Sequence, residues 1–283
     1  MDQSPIYLDS NVVIDTIEGR DNELMGLLFR SIYMGPYCYP FSAETVGEIT
    51  DEERPDRNEA RLMYLEDLSK GVYFENSFNS IKFRSERPKN VFKTINGVGA
   101  KIDFNKMLAN AIPFEHILEL RKAYKLDPSV LNNMVPSDAI QYIDETLASY
   151  DYLEKEGAPI PPKSIKDMVH MVSGICDDSF KDAERVLGEK AEHDESRKDI
   201  ILYFSLLDSF GYWGDPKNKY EKGSRLVDAQ HALVGSYFNG VVSRDTHFIR
   251  KAKAAYEYIE LDVNAYSTTE YKAHLSELLS NDS

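Results

Sequence analysis

Four acids in this chain have the residue type and the placement to do chemistry: Asp9, Glu48, Asp228 and Asp245. Asp9 ends the apolar run Ile6-Tyr7-Leu8, and Asp245 follows Val241-Val242-Ser243. Glu48 lies on a helix that Ser42 can cap, after a predicted strand at 37–41. Asp228 differs, standing about one turn into the helix that precedes the last of these strands. In an open α/β sheet the carboxyl edge of the strands is where sites form. If the four tips converge there, neighbouring anions raise one another's cost of ionisation, and a cation resolves the conflict. An all-carboxylate set without Cys or His favours Mg2+ or Mn2+ over zinc. Such an ion polarises a phosphodiester, lowers the pKa of a bound water and stabilises the leaving oxygen. Taken singly, each acid is as well explained as a helix cap or a solvated turn residue; the joint fit is what points to metal. Asn11 and Ser243 are supporting candidates, Asn11 either positioning a carboxylate or substrate or bonding its own turn. Glu44 and Asp15 read as ordinary surface or helix-end residues, and His231 and His247 as structural histidines.

The stretch Ile6-Tyr7-Leu8-Asp9-Ser10-Asn11-Val12-Val13-Ile14 resembles the opening of PIN-domain nucleases, above all the toxin-type ribonucleases, where a strand ends in Asp-x-Asn. Ser42-Ala43-Glu44-Thr45-Val46-Gly47-Glu48-Ile49 is similar to the second motif of that family, Ser-x-x-Thr-x-x-Glu, which makes Glu48 rather than Glu44 the ligand. Asp228-Ala229-Gln230-His231-Ala232, then Gly240 and Ser243-Arg244-Asp245-Thr246-His247-Phe248, resemble the third and fourth segments in order and spacing. Ser243 stands where the family usually has Thr, and His247 where some members carry another acid. The resemblance spans roughly 5–75 and 222–265. It implies a PIN-like three-layer α/β/α fold around a mostly parallel sheet, Asp9, Glu48, Asp228 and Asp245 as ligands of Mg2+ or Mn2+, and endonucleolytic cutting of RNA, or less often DNA, that leaves a 5′-phosphate. The toxin-type resemblance adds an inhibitor (antitoxin) protein as a candidate partner, and a homodimer is a further candidate. Alternatives are a catalytically silent PIN-like module that binds RNA or protein, and a structure-specific DNA nuclease. A haloacid-dehalogenase phosphatase is disfavoured, because Asp9 is followed by Ser10-Asn11 and lacks the Asp-x-Asp of that mechanism.

The elements that must position these residues follow an α/β pattern at the two ends of the chain. A strand at 6–8 turns into a helix through Val12, Val13 and Ile17, a helix at 59–68 carries Leu62, Leu65 and Leu68, and Val72-Tyr73-Phe74 is a third strand. Ser224 caps a helix that Gly240 closes, 241–243 is a strand, 258–261 the last strand and 268–279 the last helix. Between them, 114–124, 140–150, 165–175 and 200–210 have helical spacing, with a loop at Pro159-Ile160-Pro161-Pro162. The expected organisation is a PIN-like core at 1–75 and 215–283, and a mainly helical insertion at 76–214 that opens with a basic loop at 82–101.

A formal net charge of −15 has the wrong sign for general attraction to nucleic acid, so a nucleic-acid substrate needs local help. Lys82, Arg84, Arg87, Lys89, Lys93 and Lys101 face only Glu86 in that loop, with Phe83 and Phe92 interleaved as base-stacking candidates and Gly97 and Gly99 as mobile points. Pairing with the chain's own acids is the competing reading. Arg225, Arg244 and Arg250, beside two motif acids, form a second candidate phosphate contact. From 138 to 199 there are 16 acids and 8 bases, which suits a lid, a dimer element or a protein-facing surface. Cys38 and Cys176 form no C-x-x-C pair and read as buried thiols. With no basic leader at Met1–Pro5 and no run near the roughly 18 apolar residues of a membrane span, the expectation is a soluble, cytoplasmic protein without a membrane partner.

Overall fold

The structure is a computed structural model that describes residues 4–50, 54–77, 80–97, 114–149, 162–171, 197, 199–221 and 224–281. In chain order the elements are β1 (Ser4–Leu8), α1 (Ser10–Ile17), α2 (Asn22–Met34), β2 (Tyr37–Cys38), α3 (Ala43–Ile49), α4 (Pro55–Ser69), β3 (Val72–Ser77), β4 (Ser80–Ser85) and α5 (Pro88–Gly97). There follow α6 (Phe114–Ala123), α7 (Pro128–Leu131), α8 (Pro136–Ala148), a helical stretch at 165–171, α9 (Ile200–Phe210) and α10 (Lys217–Glu221). The chain closes with α11 (Ser224–Gly235), β5 (Gly240–Ser243), α12 (Thr246–Tyr258), β6 (Asn264–Ser267) and α13 (Thr268–Asn281).

The expected α/β class holds. Four strands form one parallel sheet in the order β2-β1-β5-β6, flanked by helices. The registers Pro5↔Cys38, Leu8↔Val242 and Val242↔Tyr266 set all four carboxyl ends on one edge. Parallel strands covered on both faces read as continuous apolar runs, which is why Ile6-Tyr7-Leu8 and Val241-Val242 are legible. The chain leaves β1 for β2 on one side, while β5 lies on the other, so the carboxyl end of β1 borders the kind of crevice in which α/β sites form. Gly240 opens β5 rather than closing a helix, since α11 already ends at Gly235. A Cβ at 240 would stand 3.1 Å from both Asn264 O and Tyr266 Cε2, and glycine relieves that crowding.

The chain divides into two compact units, one formed by Met1–Ile102, Leu233–Ile249 and Asp262–Ser283, the other by Asp103–Ala232 and Arg250–Leu261; the division falls inside α11 and α12. The first unit holds the sheet and a core built from Leu8, Val12, Val46, Leu65, Val242 and Leu275. The described part of the segment expected as a basic loop, 82–97, is secondary structure in this unit: β4 pairs antiparallel with β3, and α5 follows at once; 98–101 lie outside the described residues. The strand expected at 258–261 is absent among the described residues. Tyr258 ends α12, Glu260 turns at φ 58, and the edge strand is β6, three residues further on. Tyr258 and Ile259 instead pack against the core of the second unit.

The described elements of the second unit are helices, which pack Leu131, Ile140, Ile143, Val169, Leu207 and Phe210 into a core of their own. The unit also contains a fully buried lysine. Lys251 Nζ lies 2.8 Å from Asp208 Oδ1 and 3.9 Å from Asp215 Oδ1, with the Phe204 ring centroid at 4.7 Å. Among the described residues no helix is long and apolar enough to cross a membrane. Cys38 is a free thiol, half-buried rather than buried, and burial pushes its pKa up; Cys176 lies outside the described residues.

Candidate metal centre

Asp9 sits one residue beyond β1, where its N–H donates to Val242 O at 3.0 Å and prolongs the ladder to β5. It is the N-cap of α1: its carbonyl accepts from the N–H groups of Val12 (2.9 Å) and Val13 (3.3 Å), but its side chain makes no capping bond. The carboxylate is turned to other partners. Oδ1 accepts from Ser10 Oγ at 3.2 Å, and Oδ2 accepts from Ser243 Oγ at 2.6 Å and from Asn11 Nδ2. Capping therefore does not explain this buried carboxylate.

Ser243, the last residue of β5 and fully buried, is the hub on the neighbouring strand. While donating to Asp9, its hydroxyl accepts from Asn11 Nδ2 (3.1 Å) and from the Asp245 N–H (3.0 Å). Asn11 in turn accepts the Arg244 N–H at 3.0 Å. The two supporting residues thus tie the end of β1 to the end of β5, and Asn11 holds a carboxylate as well as backbone. Asp245 caps α12: its carbonyl accepts from Ile249 N–H (3.0 Å), and its Oδ1 from the N–H groups of His247 (2.8 Å) and Phe248 (3.2 Å).

Glu48 reaches the same edge from α3. Ser42 caps that helix, accepting the Thr45 N–H at 3.3 Å, as its position before an apolar run predicts. Tyr7, buried in β1, places its hydroxyl 3.1 Å from both Ser42 Oγ and Thr45 Oγ1. Burial pushes this phenol well above its ordinary value of 10.0, with Glu44 reinforcing the shift and the two hydroxyls opposing it. One turn beyond Thr45, the Glu48 carboxylate meets Ser10 Oγ, which also bonds Asp9. A hydroxyl has one proton to give, so two carboxylates share a single donor here, and a cation relieves the arrangement electrostatically.

Asp9 and Glu48 could hold a metal ion: each offers one carboxylate oxygen, and the two atoms lie within 4.8 Å of each other. That spacing is close to the reach of one ion whose donors stand roughly 2.1 Å away. Asp9 is buried, while Glu48 is exposed. Asp245, the cap of α12, lies outside this pair. In the second unit, Asp228 and the buried His231 stand three residues apart on α11 and share a helix face.

The basic side chains meet acids of their own unit. Lys82 and Arg84 lie 3.9 and 3.5 Å from Glu75, Arg84 also 3.5 Å from Glu86, Arg87 3.4 Å from Glu66 and Lys89 3.2 Å from Glu59. Lys93 is exposed on α5. Phe83 packs edge-on or tilted against Phe238 and Phe74, at 5.3 and 5.1 Å between ring centroids, and Phe92 packs against the core of the first unit. Arg244 Nη1 is held by both oxygens of Asp15, at 2.8 and 2.5 Å. Asp15, expected as an ordinary residue, is buried and also pairs with Arg20. Arg250 lies over the Trp213 ring at 5.7 Å. Arg225 stands on α11, and its side chain, like Lys101, lies outside the described residues.

No protein-family model, curated protein or solved structure matches the chain.

Proposed function

We propose that the chain is a divalent-metal-dependent nuclease that hydrolyses RNA phosphodiester bonds, as its resemblance to PIN-domain nucleases implies. The observation that carries the reading is the Asp9 carboxylate. It stands at the carboxyl edge of a parallel sheet, leaves the α1 cap unused and shares the Ser10 hydroxyl with Glu48. Asp9 and Glu48 would supply carboxylate oxygens, which suit Mg2+ and Mn2+. Bound there, the ion would supply Lewis-acid polarisation of the phosphodiester and an acidified water. Ser243 and Asn11 hold the Asp9 carboxylate in place, and Ser10 does the same between Asp9 and Glu48. Glu48, exposed, is the ligand on the side open to substrate. Asp245 completes the acidic edge in this reading, Asp228 is the fourth acid that the resemblance implies, and Arg244, half-exposed, held by Asp15 and next to Ser243, is a cation for a phosphate. With a net charge of −15, attraction of the substrate depends on the metal.

A second reading, a metal-binding module that does not cut, is favoured by two features. Asp245 already serves as the cap of α12, and most of the basic side chains on β4 and α5 are paired with acids. Incubating the protein with single-stranded RNA and matched DNA, in Mn2+, Mg2+ or EDTA, separates the readings. Metal-dependent RNA cleavage that disappears in Asp9→Asn supports the nuclease, and cleavage of DNA alone transfers the activity to DNA. Metal uptake without cleavage of either supports the silent module; no metal uptake removes both.

A further inference from the structure

We propose that Tyr7 is a positioning residue that sets the seating of α3 on β1 and thereby fixes Glu48 opposite Asp9; this rests on the reading of Asp9 and Glu48 as metal ligands. Side chains two apart on a strand lie on one face, so Tyr7 and Asp9 point to the same side of β1. Residues three apart on a helix share a face, so Thr45 and Glu48 do as well. Two links of different kind therefore join the same strand face to the same helix face. In the first, the Tyr7 hydroxyl lies 3.1 Å from Ser42 Oγ and 3.1 Å from Thr45 Oγ1, which are themselves 3.3 Å apart. In the second, Asp9 and Glu48 meet through Ser10.

The second link is a weak determinant of position while no ion is bound, because it joins two anions. The first is neutral and fully buried, with Tyr7, Ser42 and Thr45 at 0, 0 and 1% exposure. Helix α3 has only 7 residues, too few to be stable alone, so its orientation comes from what it touches. Glu48 is exposed, and burial does not hold its side chain. The hydroxyl cluster at the first turn is thus the lever that places the carboxylate one turn later. The Tyr7 ring packs tilted against Phe238, at 5.2 Å between centroids, and that contact survives loss of the hydroxyl.

Tyr7→Phe tests this in the full chain, with Mn2+ as the probe and amide hydrogen exchange across α3 as an independent readout. The expected result is a Kd for Mn2+ raised roughly tenfold, the scale typical of residues that orient metal ligands, together with faster exchange at α3. Thr45→Val should act in the same direction, and Thr45→Ser, which keeps the hydroxyl, should stay near wild type. Tyr271→Phe, which removes a buried hydroxyl 3.0 Å from that of Tyr39, should change neither readout. Unchanged Mn2+ affinity in folded Tyr7→Phe overturns the inference, as does an equal loss in Tyr271→Phe. If wild type takes up no Mn2+, the reading of the site fails, and the inference falls with it. Faster α3 exchange at unchanged Mn2+ affinity overturns the inference and leaves the site intact.

Discussion

Ser243 Oγ donates to Asp9 Oδ2 at 2.6 Å, linking residues 234 positions apart at the carboxyl ends of adjacent parallel strands. The bond exists because Leu8 pairs with Val242, which brings the next residue of each strand side by side. Removing it leaves a buried carboxylate short of one donor.

Ser243→Ala is therefore expected to cost about 1–3 kcal/mol of stability, the scale of a buried polar group that loses its partner, and to weaken Mn2+ binding roughly 10-fold or more. Urea unfolding and Mn2+ titration of the same variant check the two effects. A stable variant with wild-type affinity would show that Asp9 is oriented by Asn11 and Ser10 alone.

The buried Lys251–Asp208 pair makes a separate prediction for the helical unit. Asp208 Oδ1 accepts from Lys251 Nζ and from the Asp215 N–H, both at 2.8 Å. Lys251→Met strands a buried charge and should destabilise by about 3–5 kcal/mol. Adding Asp208→Asn, which neutralises the charge and keeps an acceptor for Asp215, should recover much of that loss. Equal stability of the single and double variants in urea would contradict this.

Asp144 gives a pH dependence with a definite sign. Burial raises its carboxyl above the ordinary 3.8, the Ile165 N–H and the Tyr258 hydroxyl pull it back, and Asp167 adds to the rise. A carboxyl whose pKa is higher folded than unfolded binds its proton more tightly in the fold. Its favourable contribution is present at low pH and is lost as pH rises through the folded pKa. Asp144→Asn removes the titration and keeps an acceptor for the Ile165 N–H, now at 2.7 Å from Oδ1. The stability difference between variant and wild type should move in the variant's favour between pH below 3.8 and neutrality. Parallel urea midpoints across that range would refute the assignment.

Much of the candidate site's edge is legible in the sequence because it is encoded locally. An apolar run that stops at Asp9, a serine cap before Val46 and an apolar run ending at Ser243 are each visible within a few residues. The side-chain assignments were harder, because they depend on distant partners. That Asp9 spends no oxygen on its cap while Asp245 does is decided by Ser243, Asn11 and the turn into α12. For the basic stretch the sequence leaves phosphate contact and pairing with the chain's own acids both open, because Glu59, Glu66 and Glu75 lie elsewhere in the sequence, on α4 and β3. The segment 258–261 looked like a strand by its β-favouring residues, yet Tyr258 and Ile259 continue the buried face of α12.

The most direct test of the centre is a Mn2+ titration of wild type and Asp9→Asn followed by paramagnetic resonance, with thermal unfolding in parallel. One saturable site is expected in wild type, with stability rising by about 2.7 kcal/mol when free Mn2+ reaches 100 times Kd. Asp9→Asn should fold, lose the site and show no metal-induced gain. Wild-type protein that takes up no Mn2+, or an Asp9→Asn variant that binds it equally well, would contradict a metal held by Asp9.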